Sequence, residues 1–416
     1  MDGAAGQSWA PWSGEQIRFT TAGSVDDGKS TLIGRLLLDA DALRRDQAAT
    51  LGEGDDLDLA ALTDGLEAEQ AQGITIDVAY RYFATRAASF VIADAPGHEQ
   101  YTRNMVTAAS TSDVAVLVID ASRFEGELKP QTRRHAAIAT LMGLNVIVAV
   151  NKMDLTGWSE ERFEDIRAAF RDAAGVLGLS HVSFVPISAK NGDNVVRRGN
   201  PPWWAGPTLI ELLETVRPSR ARADGALRLP VQTILRDGET RIYAGRVESG
   251  AVRAGDSVSV GIGVASRVTA VLKSGRPVTS AEVGASVGLQ LADDRDLAIG
   301  DVIADAEVRY TREVVADLCW LDGHAWTVGR RYQLRQGSLE TQALIAQVQF
   351  VRDISDFSER ESADLQVNDI ARVRVTTREP ILADLYSENP ATGAFVLFDP
   401  DSNQTCAAGM IRETRQ

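Results

Sequence analysis

Gly23-Ser24-Val25-Asp26-Asp27-Gly28-Lys29-Ser30-Thr31 is the stretch that decides how the rest of the chain is read. Gly23 and Gly28 permit a sharp turn in which successive backbone N–H groups point inward at an anion, where side chains would stand in the way. Lys29 brings a positive charge to the β- and γ-phosphates of a nucleotide, and the Ser30 hydroxyl is placed to bind the Mg²⁺ that bridges them. The flanks agree. β-prone Ile17-Arg18-Phe19-Thr20-Thr21 precedes the loop and Leu32-Ile33-Gly34-Arg35-Leu36-Leu37-Leu38 follows it. Strand, loop, helix is the order a phosphate loop needs, and an ordinary turn with a surface lysine has no reason to sit in it.

Further elements follow in the order of a nucleotide-binding domain. Phe90-Val91-Ile92-Ala93 is an apolar run of the kind found in strands buried on both faces, and it ends in Asp94-Ala95-Pro96-Gly97-His98. A carboxylate at such a strand tip orients the Mg²⁺ shell, and a following glycine offers its N–H to the γ-phosphate, roles that fit Asp94 and Gly97. His98 is then a candidate for positioning the attacking water, with a plain exposed histidine as the alternative. Thr75, just before the strand-like Val78–Phe83, is a candidate second oxygen ligand for Mg²⁺. Val114–Asp120 and Asn145–Val150 read as two more buried strands, separated by a helical stretch around Gln131 to Leu141. Alternation of this kind implies a doubly wound, mostly parallel sheet.

The second of those strands runs into Asn151-Lys152-Met153-Asp154, beyond the carboxyl ends of the strands where open parallel sheets bind ligands. An aspartate carboxylate only accepts hydrogen bonds, so Asp154 matches the N1–H and N2–H donors of guanine and not the edge of adenine. Asn151 is placed to tie this segment to the phosphate loop, and the Lys152 stem to lie along the base. After the strand Val182–Ile187 comes Ser188-Ala189-Lys190, where the Ala189 N–H is expected to reach guanine O6.

The remaining length sets the domain count. At 416 residues with 44% hydrophobic and 24% charged residues, the chain is that of a multidomain globular protein. The reading divides it into an N-terminal tail (1–15), a nucleotide-binding α/β domain (16–217), a linker (218–225) and two β-barrel domains (226–307 and 308–416), the barrels being read from short strands broken by Asp237-Gly238, Ser249-Gly250 and Ile299-Gly300-Asp301. A short helix is expected over Thr208–Val216. No apolar run is long enough for a bilayer, the first residues do not resemble a signal peptide and two cysteines make no disulfide framework, so a cytoplasmic protein is expected. A net charge of −15 argues against broad nucleic-acid attachment. Cys319, His324 and Trp326 lack metal-ligand spacing and read as ordinary strand and loop residues.

Five nucleotide elements followed by two β-domains resemble the translation-factor family of GTPases over nearly the whole chain. GSVDDGKST at 23–31, GITIDVAYRYF at 73–83 and DAPGHEQYTRNM at 94–105 are similar, within it, to the GTPase subunit of bacterial sulfate adenylyltransferase. QTRRH at 131–135, the run from Trp204 to Leu209 and the tail NPATGAFVLFDPDSNQTCAAGM at 389–410 extend that resemblance outside the shared nucleotide motifs. Segment 124–130 is longer than the family's usual turn, and Gln70-Ala71-Gln72 replaces a more charged run. The resemblance implies GTP and Mg²⁺ as cofactors. It also implies GTP hydrolysis coupled to formation of adenosine 5′-phosphosulfate and pyrophosphate on a separate small catalytic subunit, in a heterodimer or higher assembly. By the same carry-over Gly23 to Ser30 cradle phosphates, Ser30 and Thr75 bind Mg²⁺, Asp94 holds it through water, His98 orients the nucleophilic water, and Val25 with Ile74 forms an apolar gate. Two other functions fit the same motifs: a translation-type GTPase delivering an aminoacyl-tRNA, and a subunit that binds GTP without useful turnover.

Overall fold

Every residue of Val114–Asp120 is buried, and this strand lies at the centre of the sheet that carries the nucleotide motifs. The computed structural model describes residues 16–40, 59, 77–98, 101–179, 181–216, 225–238, 240–261, 264–293, 296–305, 308–362 and 364–414. The chain divides into two units, Met1–Arg217 and Pro218–Gln416.

In the first unit, strands β1 (Gln16–Gly23), β2 (Ala79–Ala84), β3 (Ser89–Asp94), β4 (Val114–Asp120), β5 (Asn145–Asn151) and β6 (Val182–Pro186) form one sheet in the order β2-β3-β1-β4-β5-β6. Only β2 runs antiparallel to its neighbour. The helices are α1 (Lys29–Asp39), α2 (Thr102–Ser110), α3 (Pro130–Leu141), α4 (Glu160–Leu177) and α5 (Leu209–Thr215). The mostly parallel sheet expected from the alternating pattern is therefore present. Its core joins Phe19, Phe90 and Ile92 to Leu32, Ile33 and Leu36 of α1 and to Leu209 and Leu213 of α5.

Helix boundaries have local causes. Thr208 and Glu211 form a reciprocal capping box that starts α5. Ser159 caps α4 by accepting from the Arg162 N–H, and Gly178 closes it in the left-handed conformation. Phe163, Ile166, Phe170 and Ala174 give α4 its buried stripe. That helix was not assigned from the sequence.

Parallel register brings the ends of the strands into one row. Thr21 pairs with Asp94, Gly23 with Val118, and Asp120 with Asn151. The segments leaving β1, β3, β4 and β5 therefore emerge together, which is what assembles a site from motifs scattered over more than a hundred residues.

The second unit is all β and has two cores. Leu229, Tyr243, Val258, Val271, Leu289 and Ile303 belong to the first. Its strands join in the order 228–230, 302–304, 257–260, 264–273, 286–291, 240–246, 233–237. Hydrogen bonds from Arg228 N to Ser249 O (3.1 Å), Glu248 N to Arg228 O (2.8 Å) and Gln232 N to Ala244 O (2.9 Å) bring the first strand back against the far side and close the barrel. In the second, six strands close on themselves, because 331–336 pairs with both 394–398 and 339–352. Trp320, Tyr332, Val373 and Leu397 fill it. The bidentate pair of Arg228 with Asp384 (2.9 and 3.1 Å) and the bond from Asn389 Nδ2 to Ser249 Oγ (3.3 Å) join the two barrels. Cys319 and Cys406 are buried on strands and are not joined in a disulfide, and Trp326 is buried in the second core.

Candidate nucleotide site

β1 ends at Gly23, whose φ of +147° and position leave no room for a side chain: a Cβ there would lie 2.4 Å from the Val118 carbonyl oxygen. The loop then passes through Asp26 (φ +64°) and Gly28 (φ +95°). At Gly28 a Cβ would meet Asn151 Nδ2 at 2.3 Å. The turn is held internally, since the Ser24 N–H donates to Asp27 Oδ2 at 2.9 Å. α1 begins with no capping side chain, which leaves its first N–H groups and the positive end of its dipole for an anion.

Lys29 arches back over this loop and donates to the carbonyls of Gly23 (3.1 Å) and Ser24 (2.8 Å). Burial lowers its pKa, while the charges of Asp27, Asp94 and Asp26 oppose that shift. Gly97 lies directly against the lysine: a Cβ would stand 2.4 Å from Nζ and 3.0 Å from the Gly23 carbonyl oxygen. The Asp94–His98 segment is thus beside the phosphate loop. Asp94, Ala95, Pro96 and Gly97 are buried, with the Thr21 hydroxyl donating to Asp94 Oδ1 at 3.2 Å. His98 is half-buried, its ring edge-on to Tyr101 with centroids 6.2 Å apart. Val25 is exposed at the loop's tip, and Ser30 and Thr31 are half-buried in the first turn of α1. Thr75 and Ile74 lie outside the described residues.

On the base side, Asn151 bridges two loops. Its Nδ2 donates to the Asp27 carbonyl and its Oδ1 accepts from the Ala189 N–H, both at 2.9 Å. The N–H expected to face guanine O6 is therefore engaged with Asn151 in this structure. Lys152, in the left-handed region at φ +60°, donates to the Asp26 carbonyl (2.6 Å) and to Asp120 Oδ2 (2.8 Å). Burial pushes the Asp120 carboxyl up, but hydrogen bonds from Lys152 and Ser122 outweigh it and leave the pKa below its ordinary value. Met153 is fully buried and its N–H donates to the Ile187 carbonyl. Asp154 is half-exposed, and its carboxylate accepts no hydrogen bond among the described residues. Ser188 is buried, its hydroxyl accepting from the Asn191 N–H, and the Lys190 side chain is exposed.

Four residues outside the nucleotide motifs hold this arrangement. Arg35 on α1 donates to the carbonyls of Ala189 (3.2 Å) and Lys190, fixing the 188–190 loop. Lys129 donates to Asp27 Oδ1 at 2.6 Å. The Thr132 hydroxyl lies 3.4 Å from that of Ser24. His135, fully buried on α3, accepts the Gly23 N–H at Nδ1 (3.0 Å), so its ring proton resides on Nε2. Burial drives the His135 pKa to about 3, with the Lys29 and Arg134 charges adding to the effect, and the ring is neutral. The visible signal is a histidine between Arg134 and the apolar run Ala136–Ala139 of α3.

Comparison with known proteins agrees with this architecture. The model of the elongation factor Tu GTP binding domain matches residues 15–219, and that of the GTP-eEF1A C-terminal domain-like family matches residues 313–412. The chain is 43% identical over 412 residues to a protein named sulfate adenylyltransferase subunit 1 from Citrobacter koseri, covering 95% of this chain and 86% of that one. It is 44% identical over 415 residues to the protein of the same name from Cronobacter sakazakii, covering 96% and 87%. It is 45% identical over 413 residues to the bifunctional enzyme CysN/CysC of Mycobacterium tuberculosis, covering 95% of this chain and 67% of that longer protein.

Proposed function

The chain belongs to the sulfate adenylyltransferase subunit 1 family of translation-factor-type GTPases, and on that premise we propose that it hydrolyses GTP to drive the formation of adenosine 5′-phosphosulfate and pyrophosphate from ATP and sulfate on a separate catalytic subunit. The observation that carries the reading is the 43–44% identity to proteins of that name across 95–96% of this chain. That identity extends through both barrels, well beyond the nucleotide motifs shared by all such GTPases, so delivery of an aminoacyl-tRNA is not favoured.

In this reading Gly23 to Thr31 hold the phosphates, Lys29 supplies the positive charge against the β- and γ-phosphates, and Asp154 selects guanine through its free carboxylate. Gly97, packed on the lysine without space for a side chain, is the donor of a backbone N–H to the γ-phosphate in this reading. His98 follows it and orients water toward that phosphorus, and Thr75 completes the switch. Residues Ala95, Pro96, Met153, Ser188, Ala189 and Lys190 shape the walls.

The donor set fits Mg²⁺. Among the described residues no group of three His, Cys, Asp or Glu side chains could hold a metal ion. A hydroxyl at the start of α1 (Ser30) and one carboxylate at the end of β3 (Asp94) are the partial set that Mg²⁺ completes with phosphate oxygens and waters. When bound, Mg²⁺ neutralises charge on the β- and γ-phosphate oxygens. The GTP and GDP states then favour different positions of the Asp94–His98 and Thr75 segments, and the catalytic subunit responds to that difference.

GTP turnover by the purified chain, measured alone and with the catalytic subunit, ATP and sulfate, tests the reading. Turnover that rises on adding all three supports it. Turnover indifferent to them would leave a GTPase uncoupled from sulfate activation.

A further inference from the structure

Asp27 is an anomaly in a loop built for a polyanion: its carboxylate sits within the phosphate loop and is 1% exposed. Both its oxygens are committed. Oδ2 accepts the Ser24 N–H at 2.9 Å and closes the turn around left-handed Asp26, while Oδ1 meets Lys129 Nζ at 2.6 Å. Lys129 immediately precedes α3, and its side chain is 37% exposed. Among the described residues, the cations set against Asp27 are Lys29 from inside the loop and Lys129 from outside it. Lys29 is directed at the Gly23 and Ser24 carbonyls and, in the reading above, at the phosphates. The neighbouring contacts from α3, Thr132 to Ser24 and neutral His135 to Gly23, carry no charge.

A buried carboxylate stripped of its partner is an uncompensated charge, and its cost grows as further negative charge is brought beside it. We propose that Lys129 is a positioning residue for the triphosphate: by neutralising Asp27 it lets the carboxylate keep the 24–27 turn closed without repelling the ligand, and it matters most for the nucleotide with the larger charge. This rests on the reading of Gly23–Thr31 as the phosphate loop of a guanine nucleotide. Lys129 touches no ligand in this account and acts through Asp27.

Equilibrium binding of GDP and of β,γ-imido-GTP to the full chain tests it, with thermal unfolding run on every variant. Lys129→Met is expected to weaken β,γ-imido-GTP about tenfold and GDP about threefold, and Lys129→Arg to preserve the wild-type ratio. Adding Asp27→Asn to Lys129→Met should return the ratio of the two affinities to within about twofold of wild type, because the asparagine oxygen still accepts the Ser24 N–H without the charge. Equal losses for both nucleotides, or a double variant no better than Lys129→Met, would overturn the inference and leave Lys129 a structural residue. Failure of the wild-type chain to bind either nucleotide would overturn the phosphate-loop reading itself, an outcome distinguishable from failure of the Lys129 assignment alone.

Discussion

Asn151→Ala removes a side chain that joins the phosphate loop to the 188–190 loop. The side chain is 2% exposed, and truncation strips partners from two buried groups, the Asp27 carbonyl and the Ala189 N–H, each bonded at 2.9 Å. A buried polar group left unsatisfied costs about 1–3 kcal/mol. The two together amount to about 2–6 kcal/mol, and water entering the space left by the amide brings the expected cost to the low end, about 2–3 kcal/mol. Because both loops must be in register to hold a nucleotide, that energy should appear in affinity: about 30-fold or more weaker GDP binding at 2 kcal/mol. Calorimetric titration with GDP reads it directly, and Asn151→Asp is the sharper companion. There an oxygen can still accept from Ala189, but nothing donates to the Asp27 carbonyl, so GDP binding should fall at least as far as in the alanine variant. GDP affinity within twofold of wild type in Asn151→Ala would refute the claim that this residue couples the loops.

Other perturbations probe separate parts of the account. Asp154→Asn should erase discrimination between GDP and IDP, which lacks the N2 amine; the wild-type chain should favour GDP about tenfold or more, from one charge-assisted hydrogen bond. His135, with a folded pKa of about 3 against about 6.5 for a free histidine, takes up a proton on unfolding anywhere between those values, so its contribution is complete above about pH 6.5 and is lost as pH falls toward 3. His135→Asn, whose side-chain oxygen can still accept from Gly23, should flatten the acid side of the stability profile by up to about 1.4 kcal/mol per pH unit, measured by urea unfolding between pH 7 and 5. Gly97→Ala forces a methyl against Lys29 Nζ and should abolish measurable GTP turnover while leaving the barrels' unfolding transition unchanged. Arg228→Ala removes the charge partner of the Asp384 carboxylate, 14% exposed, leaves it the Thr392 hydroxyl as donor, and should destabilise the barrel unit by about 3 kcal/mol in denaturant unfolding.

The strands and the motif residues were legible because their determinants are local. Strands buried on both faces show as unbroken apolar runs, and Val114–Asp120 was read with the bounds the structure has. Phosphate loop and base motifs carry their chemistry in consecutive residues. What could not be read is the scaffolding at long range: His135 lies 112 positions from Gly23, Lys129 lies 102 from Asp27, and Arg35 lies 154 from Ala189. No period or spacing marks such pairs before the sheet brings them together. α4 is a different case. Its Ser159 cap and the stripe at 163, 166, 170 and 174 stand in the sequence between Asp154 and Val182, where no nucleotide motif draws the eye to them. The Ala189 N–H shows the limit of motif transfer, since its engagement by Asn151 follows from how the two loops pack and not from the residues of either.

Coupling of GTP hydrolysis to sulfate activation is measured most directly by the yield of adenosine 5′-phosphosulfate. The chain and the proposed catalytic subunit would be incubated with ATP and sulfate, pyrophosphate being left to accumulate, with GTP in one arm and β,γ-imido-GTP in the other. Coupling predicts a higher yield with GTP, because only hydrolysis can displace the equilibrium. The same yield in both arms, with GTP consumed, would contradict it.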